Sequence, residues 1–139
     1  MNKKFFNLLF IAFIALISVS CSKDDNNDNN PLIGTWRKIY VNSSGYETNY
    51  SLEGEGVNWV FNADGTMYEH DIDADGNIIS SRTEKFYYKT ENGHLITAEV
   101  EGDGRVDDWK DEGAYSISND ILQITEDDGN YIKKYKKIN

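Results

Sequence analysis

The stretch Val57-Asn58-Trp59-Val60-Phe61-Asn62-Ala63-Asp64-Gly65-Thr66 decides the fold. Val57, Trp59 and Phe61 alternate with Asn58, Val60 and Asn62, which puts three large apolar side chains on one face of an extended strand. Asn62-Ala63-Asp64-Gly65 then ends the run with residues that tolerate positive φ, the conformation that tight hairpin turns demand. A strand ending in such a turn returns antiparallel to itself, and Thr66 opens the returning run.

Outward from this hairpin the same grammar repeats. Turn signals recur at Asp73-Ala74-Asp75-Gly76-Asn77, Glu91-Asn92-Gly93, Gly102-Asp103-Gly104, Ser118-Asn119-Asp120 and Asp127-Asp128-Gly129-Asn130. Between them lie short period-two runs: Gly34 to Val41, Tyr46 to Leu52, Val57 to Phe61, Thr66 to Ile72, Ile78 to Thr90, His94 to Val100, Gly113 to Ser118, and a last hairpin of Ile121 to Thr125 with Tyr131 to Ile138. They predict an all-β body of about eight strands, and no stretch of it carries a helical period with caps. Consecutive hairpins make an antiparallel meander, which must close or expose two edges. Closure into a small up-and-down barrel removes the edges; a two-sheet β-sandwich is the alternative.

Composition limits what such a body can be. The 139 residues hold 14 Lys and Arg against 24 Asp and Glu, a net charge of -10, with one Cys and one Pro. One domain of ordinary size fits. The acidic balance argues against nucleic acid, whose phosphates need stripes of Lys and Arg. A lone Cys excludes an internal disulfide framework and any Cys-rich zinc site. Aliphatic residues are sparse once the N-terminal segment is set aside, so nine Tyr and three Trp must supply much of the core.

The first twenty residues read as an address. Lys3 and Lys4 precede Leu8 to Ile17, ten unbroken apolar residues, the length of a signal-peptide h-region and too short to span a bilayer. Ser18 and Ser20 then lead into Cys21. This resembles a bacterial lipobox, which implies that Cys21 becomes the lipidated N-terminus after residues 1–20 are removed. Ser22-Lys23-Asp24-Asp25 is similar to the export tag of Bacteroidetes surface lipoproteins. Residues 21–30, rich in Asn and Asp, form a flexible tether ahead of a barrel domain over residues 31–139. The implied location is the outer membrane, lipid-anchored and facing the cell exterior.

Three motifs, in order, carry a resemblance for the body. Leu32-Ile33-Gly34-Thr35-Trp36 resembles the Gly-x-Trp opening of lipocalins; Phe61-Asn62-Ala63-Asp64-Gly65-Thr66 and the later Tyr115, Ile117, Leu122 and Ile124 are similar to Bacteroidetes lipocalin-like domain lipoproteins. The resemblance implies a lipocalin-like β-barrel in which Trp36 plugs one end with a basic residue across it, one of Lys133, Lys134, Lys136 or Lys137. It also implies a non-catalytic protein that binds a small apolar or amphipathic molecule.

Six aromatic residues are the candidate ligand contacts: Trp59, Phe61, Tyr68, Phe86, Tyr88 and Tyr115. A small barrel can hold one ligand among such rings, or the rings can simply fill it. In the second case the protein is a filled-barrel structural or interaction module of the cell envelope. A void of about 300 Å3 or more separates the two. Asp71, Asp73 and Asp75 open a D-x-D-x-D-G calcium-loop pattern, but Arg82 takes the position of its closing Glu, and an acidic hairpin turn is the preferred reading. Asp103, Asp107, Asp108, Asp111 and Glu112 read as a solvated loop. His70 and His94 lack the nucleophile and orienting partner that a catalytic base needs. Apart from that calcium reading at Asp71, Asp73 and Asp75, no motif points to a cofactor, a metal or a particular protein partner.

Overall fold

A computed structural model describes residues 29–139. The signal segment, Cys21 and all but the end of the tether lie outside the described residues. Nine strands follow one another: β1 (Gly34–Ser43), β2 (Tyr46–Asn49), β3 (Gly56–Phe61), β4 (Thr66–Ile72), β5 (Ile78–Glu91), β6 (His94–Glu99), β7 (Lys110–Ser118), β8 (Ile121–Glu126) and β9 (Tyr131–Lys137). A 3-10 turn at Asp127–Gly129 joins the last two.

All nine belong to one sheet, every pairing is antiparallel, and β1 also pairs with β9. Trp36 stands opposite Lys137 and Lys38 opposite Tyr135. The first and last strands therefore meet, and β1 with β3 to β9 closes into an eight-stranded barrel. The sandwich alternative is set aside by this pairing.

β2 stays outside the ring. It pairs only with the second half of β1, Tyr40 to Ser43, and all four of its residues are exposed. It stops at Asn49 and not at Leu52, as the sequence suggested. The reason lies in Arg37, which is buried on the outer face of β1. Its guanidinium donates to the carbonyls of Ser51 and Gly54 and to Asn58 Oδ1, so residues 51–54 are drawn over it as a loop.

β7 differs more. It begins at Lys110, so Asp111 and Glu112, expected in a solvated loop, are strand residues, and Glu112 is buried. The cause is a β-bulge: Leu95 faces Gly113 but Ile96 faces Asp111. Two residues oppose one there, and alternation breaks. Gly113 holds φ 116° at this point, and a Cβ would run into the Thr125 carbonyl. Only glycine suits both conditions.

The packed core occupies one end of the barrel. Leu32, Trp36, Phe61, Met67, Leu95, Leu122 and Ile124 are almost completely buried there. Phe61 meets Tyr88 edge to face, with centroids 4.9 Å apart and planes at 85°, the arrangement ring quadrupoles favour. Asn30, assigned to the tether by the sequence, already belongs to the fold: its side chain accepts from the Leu32 amide at 3.0 Å.

Candidate ligand-binding site

Trp36 seals the closed end. Its indole Nε1 donates to the Leu32 carbonyl at 2.7 Å, and the Lys137 ammonium sits 5.3 Å from its ring centroid. The basic residue left open among four lysines is therefore Lys137, the cross-strand partner of Trp36.

The other end opens into a cavity of about 400 Å3. Trp59 and Tyr135 stack at its floor, with centroids 4.4 Å apart and planes at 23°. Met67 and Phe86 complete the apolar surface. The walls above are charged. Glu69 on β4, Glu84 on β5 and Glu99 on β6 line one side, and Lys38 on β1 and Lys133 on β9 line the other. Lys110 and Glu112 enter from β7.

Some of these charges are paired. Lys133 lies 2.9 Å from Glu126 and 3.5 Å from Glu112, and its ammonium is 5.5 Å from the Trp59 centroid. Glu112 also accepts from the Thr97 hydroxyl at 2.8 Å. Glu69 accepts from the Trp59 indole. Others are not paired. Among the described residues Lys38 has no salt bridge, and burial holds its ammonium below the usual lysine range; Lys133 adds to this while Glu69 and Asp71 oppose it. Among the described residues the buried Tyr135 hydroxyl has no hydrogen-bond partner, and burial raises it well above the usual phenol range. Partial burial, then Glu69 and Glu99, raises the Glu84 carboxyl.

The six aromatic candidates separate into three groups. Trp59 and Phe86 line the cavity. Phe61 and Tyr88 lie in the core beneath it, and Tyr115 packs half-buried against that core. Tyr68 is out of phase with Met67 and Glu69, which face in, so its ring lies on the outer face, stacked on His70 with centroids 5.8 Å apart. The polar lining went unrecognised. Parity would have found it: once Trp36 and Phe86 are known to face inward, Lys38 and Glu84, two positions away on the same strands, must face inward too.

The remaining polar candidates lie on turns, on the outer face or at the cavity mouth, where Asp107 joins Glu99 in the lining. The Asp73 carboxylate accepts from the Asp75 and Asn77 amides at 3.0 and 2.8 Å, and Asp71 faces Arg82 at 3.7 Å, so this segment is a hydrogen-bonded hairpin turn. Glu99, Glu101 and Asp107 bring carboxylate oxygens within 4.8 Å of one another, with Arg105 beside two of them. His70 contacts the Thr83 hydroxyl at 2.9 Å. His94 pairs with Asp111 at 2.9 Å, and that contact holds the Asp111 carboxyl below its usual range.

A family model described as "Lipocalin-like domain" matches residues 32–110, more than half of the chain. The match ends at the start of β7, although the ring needs β7, β8 and β9 to close. No curated protein and no solved structure matches the chain.

Proposed function

The chain belongs to the lipocalin-like domain family, and from that premise we propose that it is a surface-tethered lipoprotein whose barrel binds a small amphipathic molecule without catalysing a reaction. One observation carries the binding reading: a cavity of about 400 Å3 opens above an aromatic floor in a barrel whose other end is plugged. That volume lies within the range of small-molecule sites. Of the apolar and amphipathic ligands the sequence left open, the charged walls favour the amphipathic one, since a purely apolar molecule would strip water from carboxylates and ammoniums without replacing it. Native mass spectrometry of protein purified from its own cells is expected to show a retained small-molecule mass that denaturation releases. A spectrum of bare protein, with no small amphiphile binding on addition, would count against the reading and favour the filled-barrel module.

The anchor is proposed on the sequence of residues 1–25 alone. Cys21→Ala is expected to move the protein from the membrane fraction to the soluble one. Unchanged membrane retention would refute lipid attachment at that residue.

A further inference from the structure

We propose that the cavity takes a short zwitterionic peptide of two or three residues, its carboxylate held by Lys38 and Tyr135 and its ammonium end by Glu84 and Glu99. An apolar side chain of the peptide lies against Trp59 and Phe86. This deepens the small-molecule reading above and rests on it.

The unpaired charges are sorted by wall. In a ring of eight strands, β5 and β6 stand across from β9 and β1. Lys38 on β1 and Tyr135 on β9 are cross-strand partners at the closure. Tyr135 is fully buried, and its hydroxyl is the one buried side-chain polar atom without a hydrogen-bond partner among the described residues. Lys38 lines the same cavity without a salt bridge, unlike Lys133, which has two. Lys38 and Tyr135 thus both line the cavity, and among the described residues neither donor has an acceptor of its own, where a buried polar group is ordinarily satisfied. On the far wall Glu84 and Glu99 likewise have no salt bridge among the described residues.

Charge balance selects among ligands that could meet these groups. Six Asp and Glu residues border the cavity against three Lys, so a simple anion would be repelled by most of the lining. A simple cation would leave the Lys38 and Tyr135 donors unmet. A ligand with both charges answers both walls. Because the walls face each other, the two charges must be further apart than on the single carbon of a free α-amino acid. Each added peptide unit extends the separation by about 3.8 Å.

Calorimetric titration of the full barrel domain with four forms of one dipeptide tests this. The probes are alanyl-phenylalanine, its C-terminal amide, its N-acetyl derivative, and the form blocked at both ends. The zwitterion is expected to bind at least about tenfold more tightly than either singly charged form, as expected for one charge-assisted hydrogen bond at each end. Lys38→Met should bring the zwitterion down to the affinity of the amide without weakening the amide's own binding, which also reports that the variant is folded. Glu99→Gln should do the same with respect to the N-acetyl form. Equal affinity for all four forms, or tightest binding of the N-acetyl form, would overturn the assignment. A neutral fluorophore, 1-aminoanthracene, separates the two levels. If it enters the cavity but no peptide displaces it, the peptide assignment fails and the binding reading survives; if neither binds, both fail.

Discussion

The two ends of this barrel are built from the same strands to opposite rules. At the closed end, inward positions carry Trp36, Phe61, Tyr88, Leu95 and Leu122, and the polar atoms of Trp36 and Tyr88 are satisfied by carbonyls of Leu32 and Asn62. Two or more residues along, the inward positions of those strands carry Lys38, Glu84, Glu99 and, on the neighbouring β4, Glu69. Glu69 and Glu84 are direct cross-strand partners, and like charges so placed are destabilising. The difference shows where folding free energy resides. The closed half supplies apolar burial, and the open half tolerates unfavourable charge because the closed half holds the ring together.

Removing the plug should have the largest effect. Trp36 is fully buried and touches both the N-terminal turn and the closing strand, so Trp36→Ala is expected to cost about 3–5 kcal/mol in urea unfolding. A loss below about 1 kcal/mol, the ordinary size of a point mutation, would mean that the closed end does not carry the fold. The comparison would then break.

The second test concerns the point where one end hands over to the other. Gly113 forms the bulge that turns Glu112 into the cavity after the regular run Tyr115, Ile117 has faced the core. Gly113→Ala must accept a positive φ and a clash with the Thr125 carbonyl, and should cost about 1–3 kcal/mol. Thermal unfolding checks it; a neutral result would show that the bulge can relax without loss.

The same position explains what could be read from sequence. Hairpin turns, strand order and closure were legible, because Asp-Gly and Asn-Gly pairs punctuate period-two runs and a meander has few ways to hide its edges. Trp36 was legible as a plug through its Gly-x-Trp setting, while its basic partner required the β1–β9 register, which no local pattern encodes. Asp111 and Glu112 were misread as loop because a bulge breaks alternation just where a glycine suggests a strand boundary. Lys38, Glu84 and Glu99 passed unnoticed for a different reason. Charged residues normally mark the solvent face of a strand, so their inward parity was overridden by their chemistry. Tyr68 is the mirror case, an aromatic ring read as interior from its type although parity puts it outside.

Glu84 gives the smallest expected effect and the sharpest test of the open end. Partial burial and the nearby Glu69 and Glu99 raise its carboxyl above the usual range. The folded protein therefore holds this proton more tightly than the unfolded chain does. Linkage then fixes the sign: ionised Glu84 lowers stability above the raised value, and that loss is recovered as pH falls through it toward the ordinary carboxylate range. Glu84→Gln removes the titration and one of the facing like charges. The variant should be more stable than the parent near pH 7, with the difference shrinking toward about pH 4. Because Glu84 stands at the solvent-exposed rim, screening keeps the gain small, and adding salt should narrow it further. Urea unfolding of both proteins across that pH range measures the slope directly. A gap that is absent at neutral pH, or that widens on acidification, would mean that the acidic wall at the mouth of the barrel carries no electrostatic strain.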